Sequence, residues 1–186
     1  MDKKIKVLGI AGSLRSGSYN LDTLRVAQKM APEEIEIEIF SRLGEIPPFN
    51  QDEENDPVEA VHELKEKIKA ADAILFVTPE YNYSVPGVLK NAIDWASRPY
   101  GQNVWEGKPV AVIGASIGAI GTARAQYHLR QIFVFLDMHP LNRPEVMIGN
   151  AQEKFDEKGN IIDTHTKEKI EELLAALVLW TKKFNK

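Results

Sequence analysis

The chain has 186 residues, of which 44% are hydrophobic and 27% charged, with a formal net charge of −4 at pH 7. This balance predicts one globular domain over residues 1–186 and excludes a disordered chain. Mild acidity argues against binding nucleic acid or an anionic membrane. The chain has no cysteine, which excludes disulfides, thiolate metal sites and thiol nucleophiles. No apolar run approaches the roughly 20 residues that cross a bilayer, and no signal-peptide core precedes the first strand pattern, so we expect a cytoplasmic protein.

The first part of the chain alternates between strand and helix patterns. Residues 5–10 form an apolar run typical of a buried parallel strand, and apolar residues then recur at helical spacing over 21–30. Residues 35–39 alternate Ile with Glu, which predicts a strand with one face in water. A proline-containing loop over 43–56 precedes a helix for which Asp56 is the predicted N-cap.

The alternation continues to the end of the chain. In order, the patterns predict a strand at 73–77, a helix opening at 86–87, a strand at 109–115, a helix at 120–136, a fifth strand within 140–147 that Pro144 interrupts, an exposed turn at 154–162 and a final helix over 170–178. Five strands alternating with five helices predict an α/β fold, a doubly wound five-stranded parallel sheet with helices on both faces. Such sheets bind ligands at the carboxyl ends of their strands, so the loops there are candidate sites.

The loop after the first predicted strand, residues 12–20, combines hydroxyl side chains with one arginine. It leads into a helix, whose N-terminus offers free backbone N–H groups to an anion. Ser13, Ser16 and Ser18 add hydroxyl donors, and Arg15 adds a charge with a planar donor fork. The loop lacks both the lysine of a P-loop and the Gly-x-Gly-x-x-Gly of dinucleotide-binding folds. It therefore predicts binding of a terminal phosphate monoester, and the alternative is a serine-rich turn with Ser18 as the helix cap.

Two further loops follow the third and fourth predicted strands. Residues 78–87 include two prolines, two tyrosines and a glycine, a stiff composition whose aromatic rings can stack on or enclose a planar ligand. An ordinary turn is the alternative interpretation of that stretch. Residues 114–121 are mostly small, which lets a ligand approach the backbone. Because all three loops leave the same sheet edge, they predict a site for a phosphate, a linker and a planar ring in sequence.

The remaining chemistry-bearing residues give weaker signals. The four histidines show none of the spacings typical of a metal site, and we expect packing or surface roles for them: His62, His128, His139 and His165. No serine stands in a Gly-x-Ser-x-Gly elbow, so nothing favours acyl transfer. Each of the three tryptophans can belong to the core, and only Trp105 can also reach the predicted site. His128 follows Arg124 by one helical turn, which fits a subunit interface and plain exposure equally well.

Two motifs resemble those of the NADPH-dependent FMN reductases with a flavodoxin-like fold. Residues 12–20 fit the pattern Gly-Ser-x-Arg-x-x-Ser-x-Asn. Residues 79–95 fit the longer and more specific pattern Pro-Glu-Tyr-Asn-x-Ser-x-Pro-Gly-x-Leu-Lys-Asn-Ala-Ile-Asp-Trp. The segment 124–131 resembles the bacterial quinone and chromate reductases within this family. The resemblance extends over nearly the whole chain.

The resemblance implies bound FMN that NADPH or NADH reduces by hydride transfer and that quinones, azo compounds or oxyanions such as chromate reoxidise in a ping-pong cycle. Because the flavin itself carries the hydride, no protein side chain is predicted to be catalytic. The implied contacts to the FMN phosphate are Ser13, Arg15, Ser18 and Asn20, with Tyr19 beside them. The implied contacts to the ring are Pro79, Glu80, Tyr81, Asn82 and Ser84, with Ser116 and Gly118 on its other side. The resemblance also implies a homodimer or homotetramer with a contact network near the flavin formed by Arg124, Tyr127 and Glu145.

Two other functions compete with this interpretation. A flavodoxin-type electron carrier would bind FMN without nicotinamide activity, although flavodoxins tend to be more acidic and to have threonine-rich phosphate loops. An NADP-binding regulator without flavin would use Arg42, after the second predicted strand, to contact the 2′-phosphate. The missing Gly-x-Gly-x-x-Gly argues against that regulator.

Overall fold

Strands and helices alternate along residues 3–184, the part of the chain that the computed structural model describes. The strands are β1 (Ile5–Ala11), β2 (Ile35–Ile39), β3 (Ala73–Val77), β4 (Pro109–Ala115), β5 (His139–Pro140) and β6 (Val146–Ile148). The helices are α1 (Tyr19–Lys29), α2 (Glu59–Ala70), α3 (Gly87–Ala96), α4 (Ala123–Phe135) and α5 (Thr164–Thr181).

The strands form one parallel sheet in the order β2-β1-β3-β4, with β5 and β6 sharing the fifth position beside β4. β5 pairs with the start of β4 at Pro109 and Val110, and β6 pairs with its end from Ile113 onward. Pro144 lies between the two short strands, and proline has no N–H to give to a ladder. The order 2-1-3-4-5 confirms the predicted flavodoxin-like fold.

Helices cover both faces of the sheet. α1 and α5 pack with one set of strand side chains, and α2, α3 and α4 pack with the other. Every residue of β3 is fully buried, as its unbroken apolar sequence predicts for a central strand. In the edge strand β2, Ile35 and Ile37 are buried, whereas Glu38 lies on the wet face and pairs with Lys67 of α2. These two layers hold the carboxyl ends of β1, β3 and β4 side by side.

Two helices begin later than predicted. α2 starts at Glu59 with Val58 as its cap residue, because Val58 O accepts the first helical hydrogen bonds, from Val61 N–H at 2.9 Å and His62 N–H at 3.2 Å. α4 starts at Ala123 and not at Ile120, because Gly121 has a φ of +63°, which cannot continue a right-handed helix. Ser18 caps α1, as the alternative interpretation of its loop expects, since Ser18 Oγ accepts from Leu21 N–H.

The structure places Trp105 in the core and not at the predicted site. Its side chain is completely buried, with its ring centroid 5.6 Å from that of Phe76 and its Nε1–H donating to Ile93 O at 3.0 Å. Trp105 therefore belongs to the core beneath α3. Among residues 3–184, no helix combines the length and apolarity that a bilayer-spanning segment requires.

Candidate functional site

A cavity of about 210 Å³ opens between the three loops at the carboxyl ends of β1, β3 and β4. Its lining comprises Ser13, Arg15, Ser18, Tyr19, Asn20, Pro79, Glu80, Tyr81, Ala115, Ser116 and Ile117. The structure thus brings together nine of the twelve predicted cofactor contacts. Of the remaining three, Asn82 and Ser84 lie in the adjoining turn, and Gly118 lies in the third loop next to the lining residue Ile117. Sequence reasoning missed Ala115 and Ile117, and the exposed Ile117 could have been noticed as the first large apolar residue after β4.

One wall of the cavity presents an anion cradle at the start of α1. The backbone N–H groups of Ser18, Tyr19 and Asn20 have no hydrogen-bond partner among the described residues, as expected for the first turn of a helix. Arg15 folds over this turn, with its Nε donating to Gly17 O at 3.0 Å and its guanidinium carbon 5.8 Å from the Tyr19 ring centroid. Free amides, hydroxyls and one cation at a helix N-terminus suit a phosphate group.

Asn20 connects this cradle to the end of β4. Its side chain is buried, and it donates from Nδ2 to Ala115 O at 2.9 Å while its Oδ1 accepts from Ala115 N–H at 2.8 Å. β3 ends at Val77, which pairs with Ile113, so the next backbone groups of β4 on that side have no strand partner. The Asn20 amide takes the place of the missing strand residue. At most one of its amide hydrogens can then serve a phosphate, and that contact stays a prediction.

The loop after β3 forms a very short β-hairpin. Tyr81 N–H donates to Ser84 O at 3.1 Å, and Ser84 N–H donates to Tyr81 O at 3.0 Å. The two residues between them, Asn82 and Tyr83, have φ values of +50° and +63°, as in a type I′ turn. Asparagine adopts this left-handed conformation readily, but a bulky residue such as tyrosine does not. The hairpin places Tyr81 at the cavity and carries local strain at Tyr83.

Glu80 ties the same loop to helix α4. Its carboxylate Oε2 accepts from the backbone N–H groups of Arg124 at 2.9 Å and Ala125 at 3.1 Å, and its Oε1 accepts from Arg124 Nη1 at 3.3 Å. The helix makes no side-chain cap of its own at Thr122. A buried carboxylate at this end satisfies two orphan donors and complements the helix dipole. The Glu80 side chain is therefore engaged by α4. Only the main chain of Glu80 is available to a ligand from the loop after β3, which we call the ring loop.

Two further contacts hold the hairpin against α4. The guanidinium carbon of Arg124 lies 3.9 Å from the Tyr83 ring centroid, a cation–π distance. One turn further along the helix, His128 Nδ1 and Ser84 Oγ share a hydrogen bond of 2.9 Å.

The loop after β4 closes the opposite side of the cavity. Ser116 Oγ accepts from Gly118 N–H at 3.1 Å, and the backbone of Ser116 bonds to Ile148 and Ala151. Gly118 O accepts from Asn150 N–H at 3.3 Å. These bonds fix the small-residue loop to the strand beside it, so both walls of the cavity are ordered by contacts outside the cavity itself.

Of the three residues predicted for a subunit contact, Arg124 and Tyr127 lie on α4 and Glu145 lies just before β6. Arg124 is paired with Glu80, and Tyr127 is half exposed on the same helix. Glu145 lines a different cavity, together with Lys154, His165 and Lys169.

The alternative of an NADP-binding regulator loses support at this point. Arg42 Nε donates to Glu45 at 2.9 Å and Arg42 Nη1 donates to Glu63 at 2.7 Å, and these carboxylates raise the pKa of Arg42 and engage its donors. It is therefore not a free contact for a 2′-phosphate. Residues 3–184 contain no cluster of three or more His, Cys, Asp or Glu residues that could hold a metal ion.

Comparisons with known proteins agree with this geometry. The sequence profile of one family, described as NADPH-dependent FMN reductase, matches residues 5–153. The NAD(P)H-dependent FMN reductase of Pseudomonas aeruginosa is 56% identical over 185 residues, which covers 98% of each chain. The quinone reductase of Escherichia coli strain K12 is 48% identical over 170 residues, 89% of each chain.

A solved structure matches the whole fold. The flavoenzyme NAD(P)H:acceptor oxidoreductase FerB of Paracoccus denitrificans superposes with a TM-score of 0.89 at 40% sequence identity. The match covers 97% of this chain and 98% of that one.

Proposed function

The chain belongs to the NADPH-dependent FMN reductase family, and from this membership we propose that it is an FMN-dependent NAD(P)H oxidoreductase that reduces quinones. The observation that carries the proposal is the single cavity into which the cradle before α1, the strained hairpin after β3 and the loop after β4 all project. The printed activities of the P. aeruginosa and E. coli relatives support the same donor and acceptor classes.

The residues present fit FMN. A phosphate monoester suits the free N–H groups of Ser18, Tyr19 and Asn20 together with the Arg15 guanidinium. We propose that Tyr81 and the main chain of Glu80 line one side of the ring and that residues 115–117 line the other. When bound, FMN supplies the centre that accepts hydride from the nicotinamide and passes electrons on to the second substrate.

The protein's part is to bind FMN, to orient its ring and to leave the ring accessible to the two substrates. Backbone N–H groups near the ring can stabilise negative charge that develops there. The lining residues Tyr81 and Ile117 are both exposed, so one side of the cavity is open to solvent. We propose that the nicotinamide and the quinone use that open side in turn, which gives ping-pong kinetics. The range of acceptors would include azo compounds and oxyanions such as chromate, since an open site selects less by shape than a closed pocket. We propose that the enzyme works in the cytoplasm, where both nicotinamide donors are available.

An anaerobic spectrum tests the proposal directly. We expect the FMN-loaded protein to lose its flavin absorbance on addition of NADPH or NADH and to regain it when a benzoquinone is added. Initial rates at several benzoquinone concentrations should give parallel double-reciprocal lines. A flavin that neither nicotinamide bleaches would point instead to an electron carrier of the flavodoxin type.

Replacing Arg15 tests the phosphate cradle. We expect Arg15→Ala to weaken FMN binding about tenfold, because a hydrogen bond to a charged group contributes about 1.5 kcal/mol at the lower end of its range. Fluorescence titration of FMN with the flavin-free protein measures the change. Arg25→Ala is the matched control, since Arg25 is exposed on α1 and pairs only with Asp22 at 3.1 Å among the described residues. Equal dissociation constants for Arg15→Ala and the wild type would remove Arg15 from the cradle.

We propose a homodimer or homotetramer in which Tyr127 belongs to an interface near the flavin. Tyr127 is 53% exposed, and Val134 and Phe135 extend an exposed apolar surface along the same helix, as is typical of interaction sites. We expect Tyr127→Asn to disturb assembly or acceptor turnover while FMN stays bound, which light scattering and steady-state kinetics would detect. Leu179→Asn, an exposed apolar residue on α5, is the control. If neither assembly nor turnover changes in Tyr127→Asn, the interface assignment fails.

A further inference from the structure

The hairpin at 81–84 holds a conformation that its own sequence does not favour. Tyr83 has a φ of +63° without being glycine, asparagine or aspartate, and such a residue costs about 1–3 kcal/mol. The two backbone hydrogen bonds between Tyr81 and Ser84 close the turn. A two-stranded hairpin of this size is not stable alone in water. Contacts from outside the hairpin must therefore hold it.

Helix α4 supplies those contacts at positions four residues apart, which lie on the same helix face. Arg124 covers the ring of Tyr83, and His128 reaches Ser84 Oγ with its Nδ1 at 2.9 Å. Ser84 also donates its N–H to Tyr81 O and accepts from Tyr81 N–H. A hold on the Ser84 side chain is thus transmitted through two backbone hydrogen bonds to Tyr81, which lines the cavity.

We propose that His128 is a positioning residue for the flavin site: through Ser84 it keeps the strained hairpin in the conformation that presents Tyr81 to the cavity. The inference rests on the proposed function, because the ligand that the hairpin meets is the FMN ring. His128 acts through Ser84 and touches no reacting atom. Its signal in the sequence is only its place one turn after Arg124, and the pairing with Ser84 across 44 residues is visible only in the fold.

Hydrogen exchange in the flavin-free protein tests the hold without any activity measurement. We expect the Ser84 amide, which donates to Tyr81 O, to exchange about two- to tenfold faster in His128→Ala than in the wild type. Amides of β3 should exchange at unchanged rates. His62→Ala is the matched control, since His62 is likewise exposed on a helix but makes no side-chain hydrogen bond among the described residues.

A rescue series identifies the atom that matters. Asparagine places a polar nitrogen or oxygen at the same δ position as His128 Nδ1, whereas glutamine places its polar atoms one bond further out. We expect FMN to bind about two- to tenfold more weakly to His128→Ala and His128→Gln than to the wild type, and near wild-type affinity in His128→Asn. Ser84→Ala should match His128→Ala, and the double variant should be no weaker than either, as for two partners in one contact.

The outcomes separate this inference from the function on which it rests. A wild-type protein that binds no FMN would overturn both. A wild-type protein that binds FMN, beside a His128→Ala variant with the same dissociation constant and the same Ser84 exchange rate, would overturn the positioning role alone. Equal losses in the alanine, glutamine and asparagine variants would also overturn it, because they would indicate bulk packing by the imidazole and not the Nδ1 hydrogen bond.

Discussion

Asn20→Ala should lower the unfolding free energy of the flavin-free protein by about 2–4 kcal/mol, because it leaves two buried backbone groups of Ala115 without partners. The N–H and C=O of Ala115 lie where β4 continues beyond the end of β3, so no neighbouring strand can replace the Asn20 side chain as their partner. Urea denaturation of the flavin-free protein measures the effect. We also expect FMN binding to weaken by at least about tenfold, since the bond between α1 and β4 sets the spacing of the two loops around the cavity.

The flavin-free measurement distinguishes two roles for Asn20. If Asn20 acted only as a phosphate contact, the variant would bind FMN less well but would unfold at the wild-type urea concentration. If it locks the loops together, stability falls without any ligand present. Asn142→Ala is the matched control, because the exposed Asn142 accepts one hydrogen bond from Arg130 at 3.2 Å, and we expect it to change the unfolding free energy by less than about 0.5 kcal/mol.

The fold could be predicted from the sequence because its signals are local. The unbroken apolar run of β3 reports burial on both faces, and the Ile–Glu alternation of β2 reports a strand with one wet face. The cap at Ser18 spans three residues, so the pattern that predicts it is complete within one turn. The predicted helix boundaries were wrong where a backbone conformation or a distant contact sets them. At Gly121, for example, the positive φ delays the start of α4.

The site could be predicted only as a set of loops, because its decisive contacts join residues far apart in the chain. Asn20 meets Ala115 across 95 residues, and Glu80 meets Arg124 across 44. Residue types alone cannot distinguish an asparagine that bonds a phosphate from one that completes a sheet. They also cannot show that the Glu80 carboxylate faces away from the ring loop toward a helix terminus. The loops' composition thus predicted a ligand with a phosphate and a planar ring, and the fold shows which of the loop side chains are engaged by other parts of the chain.

The capping role of Glu80 leads to the second large effect. We expect Glu80→Ala to lower the unfolding free energy by about 2–3 kcal/mol, because the first turn of α4 loses a charged acceptor for two backbone N–H groups. The unfolding free energy of Glu80→Gln should lie between those of Glu80→Ala and the wild type. The side-chain carbonyl oxygen of glutamine can still accept from the helix, but it carries no charge to complement the helix dipole. Thermal and urea unfolding of the flavin-free protein measure both variants.

Loss of this cap should also affect the conformation of the ring loop. Without the carboxylate, Arg124 loses its partner at 3.3 Å, and its position over Tyr83 is no longer fixed. We therefore expect Glu80→Ala to bind FMN more weakly than Glu80→Gln. Glu45→Ala is the control, because Glu45 is exposed and pairs only with Arg42 among the described residues, and surface pairs of this kind contribute little. A Glu80→Ala variant as stable as Glu45→Ala would mean that α4 needs no cap from the ring loop, and the link between that loop and the helix would then reduce to Arg124 and His128.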